Sequence, residues 1–250
     1  MQQPFSLQGR VALITGGGTG IGFDIAKCFL ASGATVVITG RREDVLKEAV
    51  ANLGSGAHYA VNDVADLSLT SALVSELISK HGGIDILVNN AGTILRDPAA
   101  EHSDEYWDEV LEVNLSSQFI LSREIGRSML AHGSGKIIFT ASLLSFQGGI
   151  NVPGYAASKG GIARLTMALA NEWASKGINV NAIAPGYIST DNTTALREDK
   201  ERSASILGRI PVGRWGEPND FKGPVVFLAS DAAKYVHGTI LTVDGGWMGR

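Results

Sequence analysis

The sequence has little of what marks secreted or nucleic-acid-binding proteins. Only one of its 250 residues is cysteine, Cys28, so an internal disulfide bond is excluded and a reducing compartment is favoured. The formal net charge of -4 is small, and it predicts no positively charged surface for nucleic acid or for an anionic membrane. The sequence therefore predicts a cytoplasmic protein that binds neither nucleic acid nor a membrane.

Long apolar runs are also missing. No stretch approaches the roughly 20 apolar residues that cross a bilayer, and the first ten residues lack the basic start and apolar run of a signal peptide. Neither membrane insertion nor secretion is therefore expected. The five histidines lie far apart and show no metal-ligand spacing, so no metal site is predicted.

What the sequence does have is a regular alternation of short β-branched runs with segments of helical period. Seven strands are predicted, the third on the weakest pattern: 11–15, 35–39, 58–61, 86–89, 136–140, 178–183 and 240–243. Two long helices are expected over about 104–132 and 154–176. This alternation predicts an α/β fold, a Rossmann-like, doubly wound parallel sheet of about seven strands with helices on both faces.

No linker, repeat or low-complexity segment divides the chain, so residues 1–250 are predicted to form one domain. Residues 187–217 carry no strand pattern and hold turn-forming residues around a short helical stretch. Long connections of this kind are usually functional. We expect a small lid here, after the sixth strand.

A glycine-rich turn, Thr15-Gly-Gly-Gly-Thr-Gly-Ile-Gly22, joins the first strand to the first helix. Glycines let the backbone turn tightly and approach a pyrophosphate, which the N–H groups at the helix start can bind. Any turn between a strand and a helix can hold glycines. Here a strand precedes the turn and an amphipathic helix follows it, which is the context that a dinucleotide site requires. The residues expected to bind the cofactor are Gly16, Gly18, Thr19, Gly20, Ile21 and Gly22.

The residues after the second strand indicate which dinucleotide binds. An acidic residue at this point would bind the ribose hydroxyls of NAD(H), but the sequence has Gly40 followed by Arg41 and Arg42. Because an arginine fork suits a 2′-phosphate, NADP(H) is favoured over NAD(H). The alternative is that both arginines belong to a solvated helix face.

Asp63 and Val64 follow the third strand, where they would meet the adenine of a bound dinucleotide. The carboxylate of Asp63 would accept from the adenine amino group. From spacing alone, a helix N-cap is an equally good interpretation of this aspartate.

Tyr155 and Lys159 stand four residues apart at the head of a predicted helix, which places both side chains on one face. A nearby ammonium favours the ionised form of a phenol. A phenol poised near the working pH can give a proton to a carbonyl oxygen or take one from an alcohol. Ser142, after the fifth strand, supplies a second donor for the same oxygen.

Together these motifs resemble the short-chain dehydrogenase/reductase family over essentially the whole chain. The matching positions are Thr15–Gly22, Asn89-Asn-Ala-Gly92, Asn114, Ser142, Tyr155-x-x-x-Lys159 and Pro185-Gly186 through Thr190. The resemblance implies that Tyr155 is the general acid/base. It also implies that Lys159 lowers the pKa of this tyrosine and binds the nicotinamide ribose, and that Ser142 holds the substrate oxygen.

The resemblance implies further roles. Asn114 would anchor a water that joins Lys159 to solvent. Cofactor contacts are implied for Tyr155 and Lys159 and for Asn90, Ala91, Gly92, Pro185, Gly186, Ile188 and Thr190. A homotetramer is implied as well.

Several segments near the catalytic positions are similar to those of a subgroup of this family. Examples are Arg209-Ile-Pro-Val-Gly-Arg-Trp215 and Asp244-Gly-Gly-Trp-Met-Gly-Arg250. That similarity implies interconversion of a ketone and a secondary alcohol on a small sugar acid such as 2-dehydro-3-deoxygluconate or gluconate. A polyhydroxy acid needs polar partners and a cation for its carboxylate. Arg96 is the first candidate for that cation, followed by Arg209, Arg214 and Arg250. The other expected substrate contacts are Gln147, Asn151, Tyr187 and Asn192.

Two other functions stay open. A reductase of the same fold could act on 3-oxoacyl thioesters, steroids or uronate-derived ketones, although Arg123, Arg127 and Lys136 are few for docking an acyl carrier protein. A nucleotide-binding scaffold without turnover is disfavoured because the catalytic set is complete. Trp215 and Trp247 are expected to serve packing or subunit contacts.

Overall fold

The computed structural model describes residues 4–250, except for the side chain of Asn192. Its centre is a seven-stranded parallel sheet in the order β3-β2-β1-β4-β5-β6-β7. The strands are β1 (Val11–Thr15), β2 (Thr35–Gly40), β3 (Ala57–Val61), β4 (Ile86–Asn89), β5 (Gly135–Thr140), β6 (Ile178–Pro185) and β7 (Ile240–Val243). The doubly wound sheet predicted from the sequence is confirmed, and β6 runs two residues beyond its predicted end.

Helices cover both faces of the sheet. They are α1 (Gly20–Ala31), α2 (Glu43–Leu53), α3 (Thr70–His81), α4 (Asp104–Leu111), α5 (Ser117–His132), α6 (Pro153–Trp173), α7 (Thr194–Glu198), α8 (Lys200–Arg209) and α9 (Lys222–Ala229). The helix expected over about 104–132 is divided, because a π-helical segment, Glu112–Ser116, lies between α4 and α5. No helix within residues 4–250 combines the length and the hydropathy needed to cross a membrane.

The sheet has two hydrophobic cores because successive side chains of each strand point to opposite faces. Ile14 and Ile38 belong to one core, which α1 and α9 cover, whereas Leu13 and Val37 belong to the other. All four side chains are fully buried. Burial on both faces explains why β1, β2 and β4 are largely apolar instead of alternating with polar residues.

The strand order reverses next to β1, which pairs with β2 on one side and β4 on the other. In open parallel sheets, ligands bind outside the carboxyl ends of the strands at such a point. The glycine turn follows β1, Arg41 follows β2, Asn90 follows β4 and Ser142 follows β5. The fold therefore brings the predicted site segments to one edge of the sheet.

Residues 187–217 leave the sheet after β6 and contain α7 and α8; we call them the excursion. Its two ends are joined by backbone hydrogen bonds. The N–H of Gly216 donates to the carbonyl of Tyr187 over 2.9 Å, and the N–H of Ser189 donates to the carbonyl of Gly216 over 2.8 Å. The excursion is thus a closed loop anchored beside the end of β6.

Candidate active site

The glycine turn has the conformation that a dinucleotide requires. Gly16 and Gly20 have φ angles of +64° and +54°, which side-chain-bearing residues rarely adopt. A Cβ at position 22 would collide with the carbonyl of Gly16 and would lie 2.6 Å from Nδ2 of Asn90. The N-cap residue of α1, Thr19, makes no side-chain cap, so N–H groups of the first turn are left to bind an anion.

The segment after β4 braces this turn. Nδ2 of Asn90 donates to the carbonyls of Thr15 and Gly16 over 3.1 and 3.2 Å. Oγ1 of Thr15 in turn accepts from the N–H groups of Asn90 and Ala91, each over 3.0 Å. On the other side of the turn, a Cβ at Gly20 would lie 3.8 Å from Cγ2 of Thr190. The start of the excursion therefore reaches the glycine turn.

Arg41 and Asp63 flank the expected adenosine site. The guanidinium of Arg41 is largely exposed and lies 4.0 Å from the Asp63 carboxylate. Asp63 also accepts from the N–H of Ala65 over 3.0 Å. The helix that follows has Asp66 as its N-cap, so the alternative interpretation of Asp63 as an N-cap does not apply.

Two other cofactor candidates lie beside the pair. Val64 follows Asp63 and is half-buried. Arg42 is exposed, as the N-cap residue of α2.

Further candidates for cofactor binding lie after β6. Gly186 passes so close to Asp244 that a Cβ would lie 2.6 Å from its Cα. Gly186 also donates its N–H to the carbonyl of Val243 over 3.0 Å. These contacts fix the direction in which Pro185 leads the chain out of the sheet. Ile188 is buried where the excursion begins.

Ser142 and Tyr155 come together although 13 positions separate them. Ser142 caps a short 3-10 helix, its Oγ accepting from the N–H of Leu144 over 3.2 Å. Tyr155 lies in the first turn of α6. Burial raises the pKa of the Tyr155 phenol, while a hydrogen bond with Ser142 and the positive charge of Arg96 lower it in part. The proposed acid, the second donor and a cation therefore share one site.

Lys159 is buried, with 3% of its surface exposed. Its Nζ donates to the carbonyl of Thr140 over 2.6 Å and lies 5.6 Å from the centroid of the Tyr155 ring. Burial lowers the pKa of this ammonium to about 8.

The expectation that Lys159 lowers the pKa of Tyr155 is not met in this structure. The pKa of the phenol is raised because desolvation dominates.

Asn114 lies within the π-helical segment and is fully buried. Its Oδ1 accepts from the N–H of Thr93, and its Nδ2 donates to the carbonyl of Thr93, both over 2.8 Å. Nδ2 also donates to Oγ of Ser158 over 3.2 Å. Single π turns inside α-helices are frequent at functional sites. Here the segment ties the chain after β4, including Gly92, to the catalytic helix.

Arg96 and Asn151 belong to two loops that meet at the mouth of the site. The N–H of Asp97 donates to the carbonyl of Asn151 over 2.9 Å. Asn151 has a φ angle of 62°, which is uncommon for a residue other than glycine and is concentrated at functional sites. Gln147 is half-buried in the same loop as Asn151.

Tyr187 is half-buried at the start of the excursion. The side chain of Asn192 is outside the described part of the structure, so its predicted substrate contact has no structural counterpart here.

The other arginines considered for a substrate carboxylate are engaged elsewhere. Arg214 forms a bidentate pair with Asp220 over 2.8 and 2.9 Å. Arg209 stacks on the ring of Trp247, and Arg250 donates to the carbonyl of Gly208. Among the described residues Arg96 forms no ion pair, so of the four it is the cation best placed to act on Tyr155.

The structure also shows supporting residues that sequence reasoning missed. Ser145 donates to the carbonyl of Lys159 over 2.7 Å, and Ser158 donates to the carbonyl of Tyr155 over 2.8 Å. Thr93 holds the side chain of Asn114 through its backbone. No motif marks these positions, because ordinary serine and threonine residues make the contacts.

The fold and the glycine turn define a class: a dinucleotide-dependent oxidoreductase. The dinucleotide fits the glycine turn and the open start of α1, while no group of three or more His, Cys, Asp or Glu residues in the described chain could hold a metal ion.

The chain belongs to the short-chain dehydrogenase/reductase family. A family model described as enoyl-(acyl carrier protein) reductase matches residues 16–248. A 2-dehydro-3-deoxy-D-gluconate 5-dehydrogenase from Pseudoalteromonas atlantica is 63% identical over 100% of both chains.

Two solved structures are similar to this chain. One, a putative NAD(P)-dependent gluconate 5-dehydrogenase from Beutenbergia cavernae with bound NADP, has a TM-score of 0.94 and 53% identity over 99% of this chain and 100% of its own. The other is a gluconate 5-dehydrogenase from Burkholderia cenocepacia in complex with NADP and tartrate. It has a TM-score of 0.95 and 39% identity, covering 99% of this chain and 98% of its own.

Proposed function

We propose that the protein is an NADP(H)-dependent dehydrogenase/reductase that interconverts a ketone and a secondary alcohol on a small sugar acid, such as 2-dehydro-3-deoxygluconate or gluconate. The observation that carries the proposal is that the Tyr155 phenol lies within hydrogen-bond reach of Ser142, with Lys159 5.6 Å from its ring and Arg96 near enough for its charge to lower the phenol pKa in part. The identity to sugar-acid dehydrogenases over the full length of the chain supports the choice of substrate.

The chemistry is divided between the cofactor and the chain. When bound, the nicotinamide supplies or accepts the hydride. In the reductive direction negative charge develops on the ketone oxygen, and Ser142 and Tyr155 stabilise it by hydrogen bonding. Tyr155 then gives its proton to this oxygen, and in the oxidative direction it takes the proton back. Lys159 holds a positive charge behind the tyrosine below a pH of about 8.

The raised pKa of Tyr155 bears on the favoured direction. The phenol is protonated at neutral pH, and burial raises its pKa further, so it can act there as an acid but must lose its proton before it acts as a base. We therefore expect the rate of alcohol oxidation to gain more from alkaline conditions than the rate of ketone reduction does.

The chain's own residues define the cofactor site. The pyrophosphate would lie at Gly16, Gly20 and Gly22 and the N–H groups of the first turn of α1. Asn90 and Asp63 would flank the adenosine. The remaining cofactor contacts proposed are Gly18, Thr19, Ile21, Arg42, Val64, Ala91, Gly92, Tyr155, Lys159, Pro185, Gly186, Ile188 and Thr190.

The substrate carboxylate is assigned to Arg96. The positive charge of this guanidinium lowers the pKa of Tyr155 in part, and Arg96 forms no ion pair within residues 4–250, so it is available for an anion near the phenol. Gln147, Asn151, Tyr187 and Asn192 are proposed to bind the hydroxyl groups. Tartrate, which accompanies NADP in the Burkholderia relative, is also a small hydroxy acid and supports this class of ligand.

Replacing Arg41 by alanine tests the cofactor assignment. We expect wild-type protein to convert a sugar acid with NADP(H). The Arg41→Ala variant should lose about tenfold to a hundredfold in affinity for NADPH, because one or two charge-assisted hydrogen bonds contribute that much. Affinity for NADH, which lacks the 2′-phosphate, should change by less than about threefold. Fluorescence titration of both reduced cofactors measures the two effects. Equal losses for NADPH and NADH would reject a 2′-phosphate contact.

A reductase of acyl thioesters is the second candidate, since the matching family model is described as an enoyl-(acyl carrier protein) reductase. An acidic carrier protein would need a basic docking rim. Arg123 and Arg127 are both paired with Glu124, and Lys136 is buried and donates to Asn179. These three cations do not form a free rim, and the sugar-acid function is therefore preferred.

We also propose that the chain is a single domain with the excursion as its lid and that it assembles as a cytoplasmic homotetramer. Several features support this. The lone cysteine, Cys28, suits a reducing compartment. Trp107 and Phe119, on α4 and α5, expose 40% and 38% of their surface, as side chains that contact a partner subunit would in the isolated chain.

A further inference from the structure

The last residues of the chain, 244–250, form a tail that packs on the excursion. The carboxylate of Asp244 accepts from the N–H groups of Gly246 and Met248, each over 2.9 Å, which folds the tail into a compact turn. Gly245 and Gly246 have φ angles of +64° and +92°. The tail is therefore a shaped element with its own hydrogen bonds.

Backbone contacts join this tail to the end of α8 and the residues after it. The N–H of Val212 donates to the carbonyl of Gly245 over 3.1 Å. Nη1 of Arg250 donates to the carbonyl of Gly208 over 3.1 Å. Pro211 lies against Gly246, where a Cβ would come within 3.0 Å of it. The tail and the excursion meet along several residues of each.

Trp247 is the centre of this contact. It is 4% exposed and packs with Ile206 and Ile210 of the excursion. The guanidinium of Arg209 lies 4.0 Å from the centroid of its ring, within the range of a cation–π interaction. The ring of Tyr187 lies 4.6 Å away and also meets Trp215 edge-on.

The same cluster reaches the catalytic residues. Leu143, which packs in it, follows Ser142 directly, and Tyr187 follows the cofactor segment Pro185-Gly186. The ring of Trp247 thus contacts the first residue of the excursion and shares its cluster with the residue after the catalytic serine.

We propose that Trp247 is a positioning residue: its ring fastens the excursion and holds Tyr187 as a wall of the substrate pocket. The inference rests on the proposed function in one respect, namely that the substrate bound in this pocket is the sugar acid. Nε1 of Trp247 is buried and makes no hydrogen bond with any described residue, so the ring, and not its N–H group, does the positioning. This distinction makes the inference testable with two substitutions at one site.

The test compares Trp247→Leu with Trp247→Phe. Leucine removes the partner of Arg209 and Tyr187, so we expect KM for the sugar acid to rise about tenfold. kcat should stay within about threefold, because the N–H of Ser142 and the ammonium of Lys159 are held by Ser145 and Thr140, which lie outside the cluster. Phenylalanine keeps an aromatic face for Arg209 and Tyr187, although it is smaller than the indole and lacks the unpaired donor, so KM should rise by less than about threefold. Tyr235→Leu, at a position 99% exposed, is the matched control and should change neither constant.

Trypsin gives a second measurement that needs no turnover. The excursion holds cleavage sites at Arg197, Lys200, Arg202, Arg209 and Arg214. With NADPH bound, Trp247→Leu should be cut in the excursion about tenfold faster than wild type, and Trp247→Phe at nearly the wild-type rate. If Trp247→Leu does not fold, Arg209→Met, which removes the stacked guanidinium, should show the same two changes at smaller size, with cleavage compared at the sites other than Arg209, because this substitution removes that site.

Unchanged KM and unchanged cleavage in Trp247→Leu would overturn the proposal. Equal damage from phenylalanine and leucine would also overturn it, because the ring would then not be the cause. Wild-type protein without activity on any sugar acid would remove the proposed function instead. The trypsin result would still decide whether Trp247 fastens the excursion.

Discussion

Replacing Tyr155 by phenylalanine should lower kcat about a thousandfold and leave NADPH affinity within about threefold of wild type. The substitution removes one hydroxyl, and with it the only proton that the site is proposed to deliver to the substrate oxygen. The glycine turn, Asn90 and Arg41 are untouched, so cofactor binding should persist. Steady-state kinetics with a sugar acid and fluorescence titration of NADPH measure the two effects.

Ser142→Ala is the informative companion to this variant. It removes the second donor to the same oxygen but leaves the acid in place, so its loss of kcat should be smaller, about a hundredfold. A Tyr155→Phe variant that kept more than about a tenth of wild-type kcat would exclude the phenol as the general acid.

Replacing Lys159 by methionine should abolish most activity and change the pH dependence of stability. In the folded protein burial lowers the pKa of this lysine to about 8, whereas the unfolded chain titrates near its ordinary value of 10.5. Between these two values the unfolded state binds more protons, so wild-type protein loses stability as the pH falls from 10.5 to 8. The loss amounts to about 3 kcal/mol and is complete below a pH of about 8.

Methionine does not titrate, so the variant escapes this loss. The unfolding free energy of Lys159→Met minus that of wild type should therefore be about 3 kcal/mol more positive at pH 7 than at pH 10.5. Urea unfolding at the two pH values measures the difference. The lost hydrogen bond to Thr140 shifts both values alike and cancels in the comparison. A difference that is the same at both pH values would mean that Lys159 titrates normally in the folded state.

The sheet could be predicted from the sequence because its inner strands are buried on both faces and most of its strands are rich in β-branched residues. Val11–Thr15, Ile86–Asn89 and Ile240–Val243 have the predicted bounds. The end of β6 could not be predicted from the sequence, because proline is uncommon within a strand. In the structure Pro185 nevertheless pairs with Val243. The π-helical segment around Asn114 leaves no periodic signal that single-sequence reasoning can detect.

The candidate site was predictable wherever a motif fixes a residue to the end of a strand. The charges at that site were harder to predict, because a pKa depends on burial as well as on neighbours. The spacing of Tyr155 and Lys159 suggested a lowered phenol pKa, but it does not reveal that both groups lie in a desolvated position. Likewise, no sequence pattern shows that Arg209 stacks on Trp247 instead of facing a substrate carboxylate.

The central claim is that Ser142, Tyr155 and Arg96 act together on a small hydroxy acid with NADP(H). Its most direct test is turnover by purified protein on 2-dehydro-3-deoxygluconate, gluconate, neutral sugar alcohols of the same length, 3-oxoacyl thioesters and steroids, each with both cofactors. The absorbance of the reduced nicotinamide is followed. We predict turnover of at least one sugar acid with NADP(H), and little or none of the neutral sugars, which offer no carboxylate to Arg96. Turnover of thioesters or steroids alone would contradict the account.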